Sequence, residues 1–267
     1  MFRILALLLL LPASAALSHE VWIDPEAYQV EKGDTIEAAL KNGQNFAGVD
    51  LAFFPARTAR FDVIVGGKPS AIKGRPGDLP AITGLKTPQG LTVLVYQSRP
   101  DTLTYPEWDK FQTFVQHKDL GDVRARHLAR GLPPSPVKEL YTRFSKTLVA
   151  VGHGKGRDAP TGLETEIVAL ANPYRDDISG GLPVRVLYRA VPRANAQVEL
   201  FERAPDGTVT ISLHRTDRDG RALLPVHPGH SYLVDAVILR QPAPELAAKY
   251  KVQWESLWAA LTFAVPG

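Results

Sequence analysis

The sequence predicts a mainly β chain of two β-sandwich domains, the first interrupted by a helical insertion. Two observations predict this. Short apolar or alternating runs recur along the chain, separated by Gly, Pro and Asp-Gly turns. Between Glu107 and Leu148 that rhythm gives way to aromatic residues at helical spacing. The expected division is a signal peptide over 1–18, an N-terminal β-domain over 19–160 with the helical insertion around 106–150, and a C-terminal sandwich over 161–267.

The opening residues have the layout of a cleaved secretion signal: Arg3, an apolar run from Ile4 to Leu11, then Pro12 and a string of small residues. The run is well short of the roughly 20 residues a membrane span needs. Small-residue rules allow cleavage after Ala15, Ala16 or Ser18. The location expected is therefore periplasmic or secreted, with no transmembrane segment in the mature chain.

In the first domain, Thr35 to Leu40 alternates through Ile36, Ala38 and Leu40, and Arg60 to Val65 through Phe61, Val63 and Val65. Leu91 to Ser98 is apolar on both faces, as in a central strand. Trp108, Phe111, Phe114 and Val115 then mark a helix over 107–120 that stops at Gly121. Val137, Leu140, Tyr141, Phe144 and Leu148 predict a second helix, with Pro136 in its first turn. The segment from Gly152 to Gly162, rich in Gly and Lys, is the expected domain boundary.

Beyond it the spacing predicts strands at 164–169, 183–188, 197–202, 208–213, 222–226, 231–239 and 257–265, with hairpin turns at Asp206-Gly207 and Asp219-Gly220. Short strands at this density are the signature of an immunoglobulin-like sandwich.

The chain has no Cys, which excludes disulfides, thiolate metal sites and a Cys nucleophile. Its 31 basic and 28 acidic residues are interspersed without a basic stripe, so nucleic acid is not an expected partner. There is no phosphate loop, dinucleotide fingerprint or Gly-x-Ser-x-Gly elbow. Thr216 to Gly220 begins like a calcium loop but lacks its distant acidic ligand, and a tight turn explains it better.

Histidine is the remaining source of uncommon chemistry. Cleavage after Ser18 would make His19 the terminus, where its amine and Nδ1 close a chelate that one more imidazole completes as a T-shaped site for Cu(II). Cleavage after Ala16 would give four nitrogens in a plane, from the amine, two backbone amides and the imidazole, which favours Cu(II) or Ni(II). His153, between Gly152 and Gly154, and the pair His227 and His230 around Pro228-Gly229 are the best further ligands. The candidate metal set is thus His19, His153, His227 and His230, holding Ni(II), Co(II) or Cu(II). The plain alternative is that His19 only starts a strand anchored by Trp22.

Read together, several segments carry a resemblance: His19-Glu20-Val21-Trp22-Ile23-Asp24-Pro25, the Tyr141 to Gly152 stretch with Phe144 and Lys146, Leu182 to Tyr188, Thr216 to Arg221, and Trp258 to Phe263. Over the whole mature chain they resemble the exported bacterial family called domain of unknown function 4198, once labelled NikM and associated with nickel and cobalt uptake. The resemblance implies an N-terminal β-domain with a helical insertion, a second domain similar to the sandwich appended to carboxypeptidases, and a role near membrane metal transporters. It makes the His19 to Trp22 start and the Tyr141 to Gly152 segment candidate site regions, with Lys146 either an inter-domain anchor or an exposed helix Lys. Three functions stay open: an accessory protein that binds a divalent metal and serves a transporter, a metal-free recognition module, and a copper oxidoreductase using a terminal His chelate. On the first two readings the chain is not an enzyme.

Overall fold

The structure is a computed structural model that describes residues 19–267, so the expected signal peptide lies outside the described residues. The first half contains β1 (Glu20–Pro25), β2 (Gln29–Val30), β3 (Ile36–Gln44), β4 (Ala47–Leu51), β5 (Thr58–Val65) and β6 (Lys68–Ala71). It continues through β7 (Ile82–Leu85), β8 (Gly90–Ser98), β9 (Asp101–Tyr105), the helices α1 (Trp108–His117) and α2 (Val123–Ala129), and the long β10 (Val137–Val151). After residues 152–164 come β11 (Thr165–Ala169), β12 (Leu182–Tyr188), β13 (Val191–Pro192), β14 (Gln197–Arg203) and β15 (Val209–Arg215). Last are β16 (Arg221–Leu224), β17 (Ser231–Arg240), α3 (Pro244–Tyr250) and β18 (Trp254–Ala264).

The protein is mainly β, and its sheets stack as sandwiches. A ten-stranded sheet runs in the order β15-β14-β17-β18-β10-β8-β5-β6, with β2 and β9 also bonded to β10. β10 and β18 lie side by side in parallel, so strands from before and after residues 152–164 share this sheet. A strand alternates its side chains between two faces, and β8 shows the result. Leu91, Val93 and Val95 enter the core beneath the sheet β11-β12-β13 with β16, while Leu94 and Tyr96 enter the core beneath β1-β3-β4 with β7. Two sandwiches thus share one central sheet. Each fully buried Leu, Val or Phe of these cores contributes about 1.5–3 kcal/mol. The helices cover a third core, where Phe111, Phe114 and Val115 of α1 pack on Tyr105, Trp254 and Trp258.

The second expected helix is a strand. Residues 137–151 form β10, bonded to β18 on one edge and to β8 and β9 on the other. Both faces are covered, so apolar residues occur on both and the alternation that identifies a half-exposed strand is lost. Two of its buried polar residues are satisfied: Glu139 accepts from Tyr105 at 2.8 Å and from Ser256, and Thr147 donates to the Ile23 carbonyl at 3.0 Å. The second helix of this region is instead α2, whose N-cap Asp122 accepts from the Ala125 amide at 2.9 Å. Asp206-Gly207 does join a hairpin, β14 to β15. Asp219-Gly220 does not: it joins β15 to β16, which belong to different sheets.

Candidate metal centre

Among the described residues, two clusters bring three or more acidic or histidine side chains within 4.8 Å of one another: Glu202, His227 and His230, and Glu20, Glu199 and Asp235. The first contains two of the histidines expected from the sequence.

It begins with a tight turn. His227-Pro228-Gly229-His230 closes through the His230 amide to the His227 carbonyl at 3.4 Å, and Gly229 has φ +79°. Pro at the second position and a left-handed Gly at the third are the requirements of a type II turn. The turn is held from behind, where the Gly229 amide donates to the Val265 carbonyl at 2.9 Å. Both imidazoles therefore face the end of β14. There Glu202 lies opposite Tyr232 of β17, which places the two side chains on one face.

Glu202 Oε1 is the focus. Tyr232 donates to it at 2.9 Å, His227 Nδ1 lies 2.6 Å away and His230 Nδ1 2.8 Å away. Burial opposes ionisation of Glu202, but the bonds from His227 and Tyr232 outweigh it and hold the carboxyl below its usual range. Burial, reinforced by Glu202, pushes the Tyr232 hydroxyl well up. His230 Nδ1 is buried without a hydrogen-bond partner, because its geometry toward Glu202 is that of a charge contact only. The cluster borders an open cavity of about 330 Å³ lined also by Ala204, Thr208 and Thr210. One carboxylate and two imidazoles, one of them with a buried nitrogen that makes no hydrogen bond, fit a divalent transition ion.

The other two expected ligands lie elsewhere. His153 is exposed, and its Nδ1 accepts from the Lys155 amide at 3.0 Å. His19 is half-buried immediately before β1. Neither belongs to either cluster. Glu202 was missed because nothing local marks a residue on β14 as the neighbour of a turn 25 residues later.

The second cluster surrounds a lysine. Lys118, which caps α1, places Nζ 2.8 Å from Glu20 Oε1 and 2.9 Å from Asp235 Oδ2, and pairs with Glu199. Burial opposes its charge, yet the three carboxylates hold the ammonium well above its usual range. Burial also pushes Asp235 up to about 7, against the pull of Lys118. His117 Nε2 sits 3.0 Å from Glu199 Oε1, and that contact raises the imidazole. A tethered ammonium thus already fills the centre of these carboxylates.

A search of curated proteins finds no match to this chain. Among solved structures, a tetra-tandem repeat from the extending region of a large adhesion protein is similar at 10% identity and TM-score 0.21, over 92% of this chain and 49% of that one. The chain therefore spans about half the length of that structure. The D0-D1 domain of Intimin is similar at 15% identity and TM-score 0.19, over 91% and 97% of the two chains. No described helix is long and apolar enough to cross a membrane. The profile of the domain of unknown function DUF4198 matches residues 16–240, so the chain belongs to that family.

Proposed function

We propose that this protein is an extracytoplasmic accessory protein that binds a divalent transition metal through Glu202, His227 and His230 and hands it to a membrane metal transporter. The observation that carries this reading is the convergence of three donor atoms within 4.8 Å, one of them a buried imidazole nitrogen without a hydrogen-bond partner. The signal-like start supports the compartment, and a donor set without thiolate suits Ni(II), Co(II) and Cu(II). Divalent affinity should follow Cu(II) above Ni(II) above Co(II).

Isothermal titration with each ion tests the site. A His227→Ala/His230→Ala double variant should bind at least about tenfold more weakly, equivalent to about 1.4 kcal/mol. His19→Ala should leave that binding unchanged. Equal affinity in the double variant and the parent would sink the proposal.

One observation favours a second reading, a metal-free recognition module. β15 is an edge of the central sheet, with Ile211 and Leu213 exposed along it, and such edges accept added strands. Capture of a partner in the presence of chelator, lost in a Leu213→Lys variant, would favour that reading over metal binding.

A further inference from the structure

A second buried lysine has surroundings unlike those of Lys118. Lys146 lies on β10 between Phe144 and Leu148, which alternate with it into the core shared with β11 and β12. Its Nζ is 2.7 Å from Asp158 Oδ1, 2.9 Å from Asp158 Oδ2 and 3.0 Å from Glu166 Oε1. All three side chains are at most 1% exposed. The two near-equal distances set the nitrogen astride both oxygens of Asp158 instead of beside one. Two backbone amides also aim at that carboxyl, Ala159 at Oδ1 and Ala169 at Oδ2, each at 2.9 Å. Glu166 is fixed in place by the Thr161 amide at 2.7 Å and its hydroxyl at 2.9 Å.

We propose that Lys146 and Asp158 become joined by an intramolecular amide bond after folding, with Glu166 carrying the proton. The parts match the needs of that reaction. The reaction begins when one proton passes from the Lys146 ammonium to the Asp158 carboxyl, which burial raises against the pull of the lysine. The amine lone pair attacks the Asp158 carboxyl carbon and a C–N bond forms. The Ala159 and Ala169 amides stabilise the charge that develops on the oxygens. Glu166 takes the proton from nitrogen and delivers it to the departing oxygen. The C–O bond breaks and water leaves. Ammonium plus carboxylate become amide plus one water, so no oxidant, reductant or leaving group is required. Fixed proximity replaces activation, since well-oriented intramolecular reactions reach effective concentrations of about 10⁵–10⁸ M. Lys118 lacks this arrangement, because its Nζ is shared among one oxygen each of Glu20, Glu199 and Asp235.

The amide would clamp the connection 152–164, by which the chain passes from β10 to β11, onto the central sheet. It is independent of metal binding at Glu202. Proteolysis of the unfolded full chain followed by mass spectrometry tests it. The expected product is one linked peptide containing both Lys146 and Asp158, lighter by one water than the two parts together. Lys146→Arg and Glu166→Gln chains should yield the separate, unmodified peptides. Unmodified Lys146 and Asp158 peptides from the parent chain would overturn the proposal, whether or not the variants fold. So would a water loss that fragment ions confine to the Asp158–Ala159 backbone, since that marks a cyclic imide.

Discussion

Two carboxylate clusters sit on opposite faces of the same strand, β14, and differ in what balances their charge. Glu199 faces inward, is 2% exposed and is neutralised by the Lys118 ammonium of its own chain. Glu202, three residues on, lies at the rim beside His227, which is 62% exposed. A covalently tethered cation cannot leave, so the inner cluster is suited to joining elements: β1, α1, β14 and β17 meet at Lys118. Two imidazoles beside an open cavity can exchange partners with solvent. Accessibility and the mobility of the counter-charge, more than the number of carboxylates, separate a structural cluster from a binding one.

Removing the tethered cation should give the largest effect. A Lys118→Met chain leaves three buried carboxylates without their ammonium and should lose about 3–5 kcal/mol in urea unfolding. A loss near zero would mean that the cluster readily admits water or another cation. At the rim, Glu202→Gln should weaken metal binding while changing stability in the absence of metal by about 1.5–3 kcal/mol, the range for one hydrogen-bonded charge. If stability falls as far as in Lys118→Met, the contrast between the clusters collapses.

Acidity sharpens the comparison further. Asp235 holds its proton to about 7 in the fold, against 3.8 as its ordinary value. The folded state therefore binds more protons over that window, and stability declines as pH rises through it before levelling off above it. His117 adds to the decline, because a raised imidazole contributes stability below its unfolded value of 6.5 that is lost as pH rises through the folded value. Glu202 acts in the other direction: its lowered carboxyl contributes stability above 4.5 that is lost as pH falls through the folded value. Unfolding midpoints across the neutral range should thus decline with pH in the parent and less steeply in Asp235→Asn. An unchanged slope would remove Asp235 from the account. The smallest effect belongs to His153→Ala, an exposed loop change expected to shift stability by less than about 0.5 kcal/mol.

Much of the fold was legible in the sequence because most strands are either half-exposed and alternating, like β5, or apolar runs between clear turns, like β8. β10 was not, since burial on both faces erased its period and its apolar residues fell at helical spacing. Its polar residues gave no warning, because on the expected helix Glu139 and Lys146 fall opposite Phe144, on the side where polar residues are ordinary. The turn histidines of the rim site are neighbours in sequence and could be picked out together. Glu202 reaches the histidine turn through sheet register, and Glu199 meets Lys118 only through the packing of α1 on β14. Asp235 could have been noticed, since a lone carboxylate in the run Tyr232 to Leu239 needs a buried partner.

The parallel contact of β10 with β18 has a consequence in time. Thr147 and Thr262 hydrogen-bond across it although 115 residues separate them. The middle of the largest sheet therefore closes only after every other strand has been made. Until then β10 and β17 each present an unsatisfied edge, the condition under which chains stick to one another. Such long-range closure is slow, so the growing chain needs to be kept apart from its neighbours until β18 arrives. A chain stopped after residue 240 should sediment as aggregate, whereas a soluble monomer of that length would show that the two sandwiches close independently.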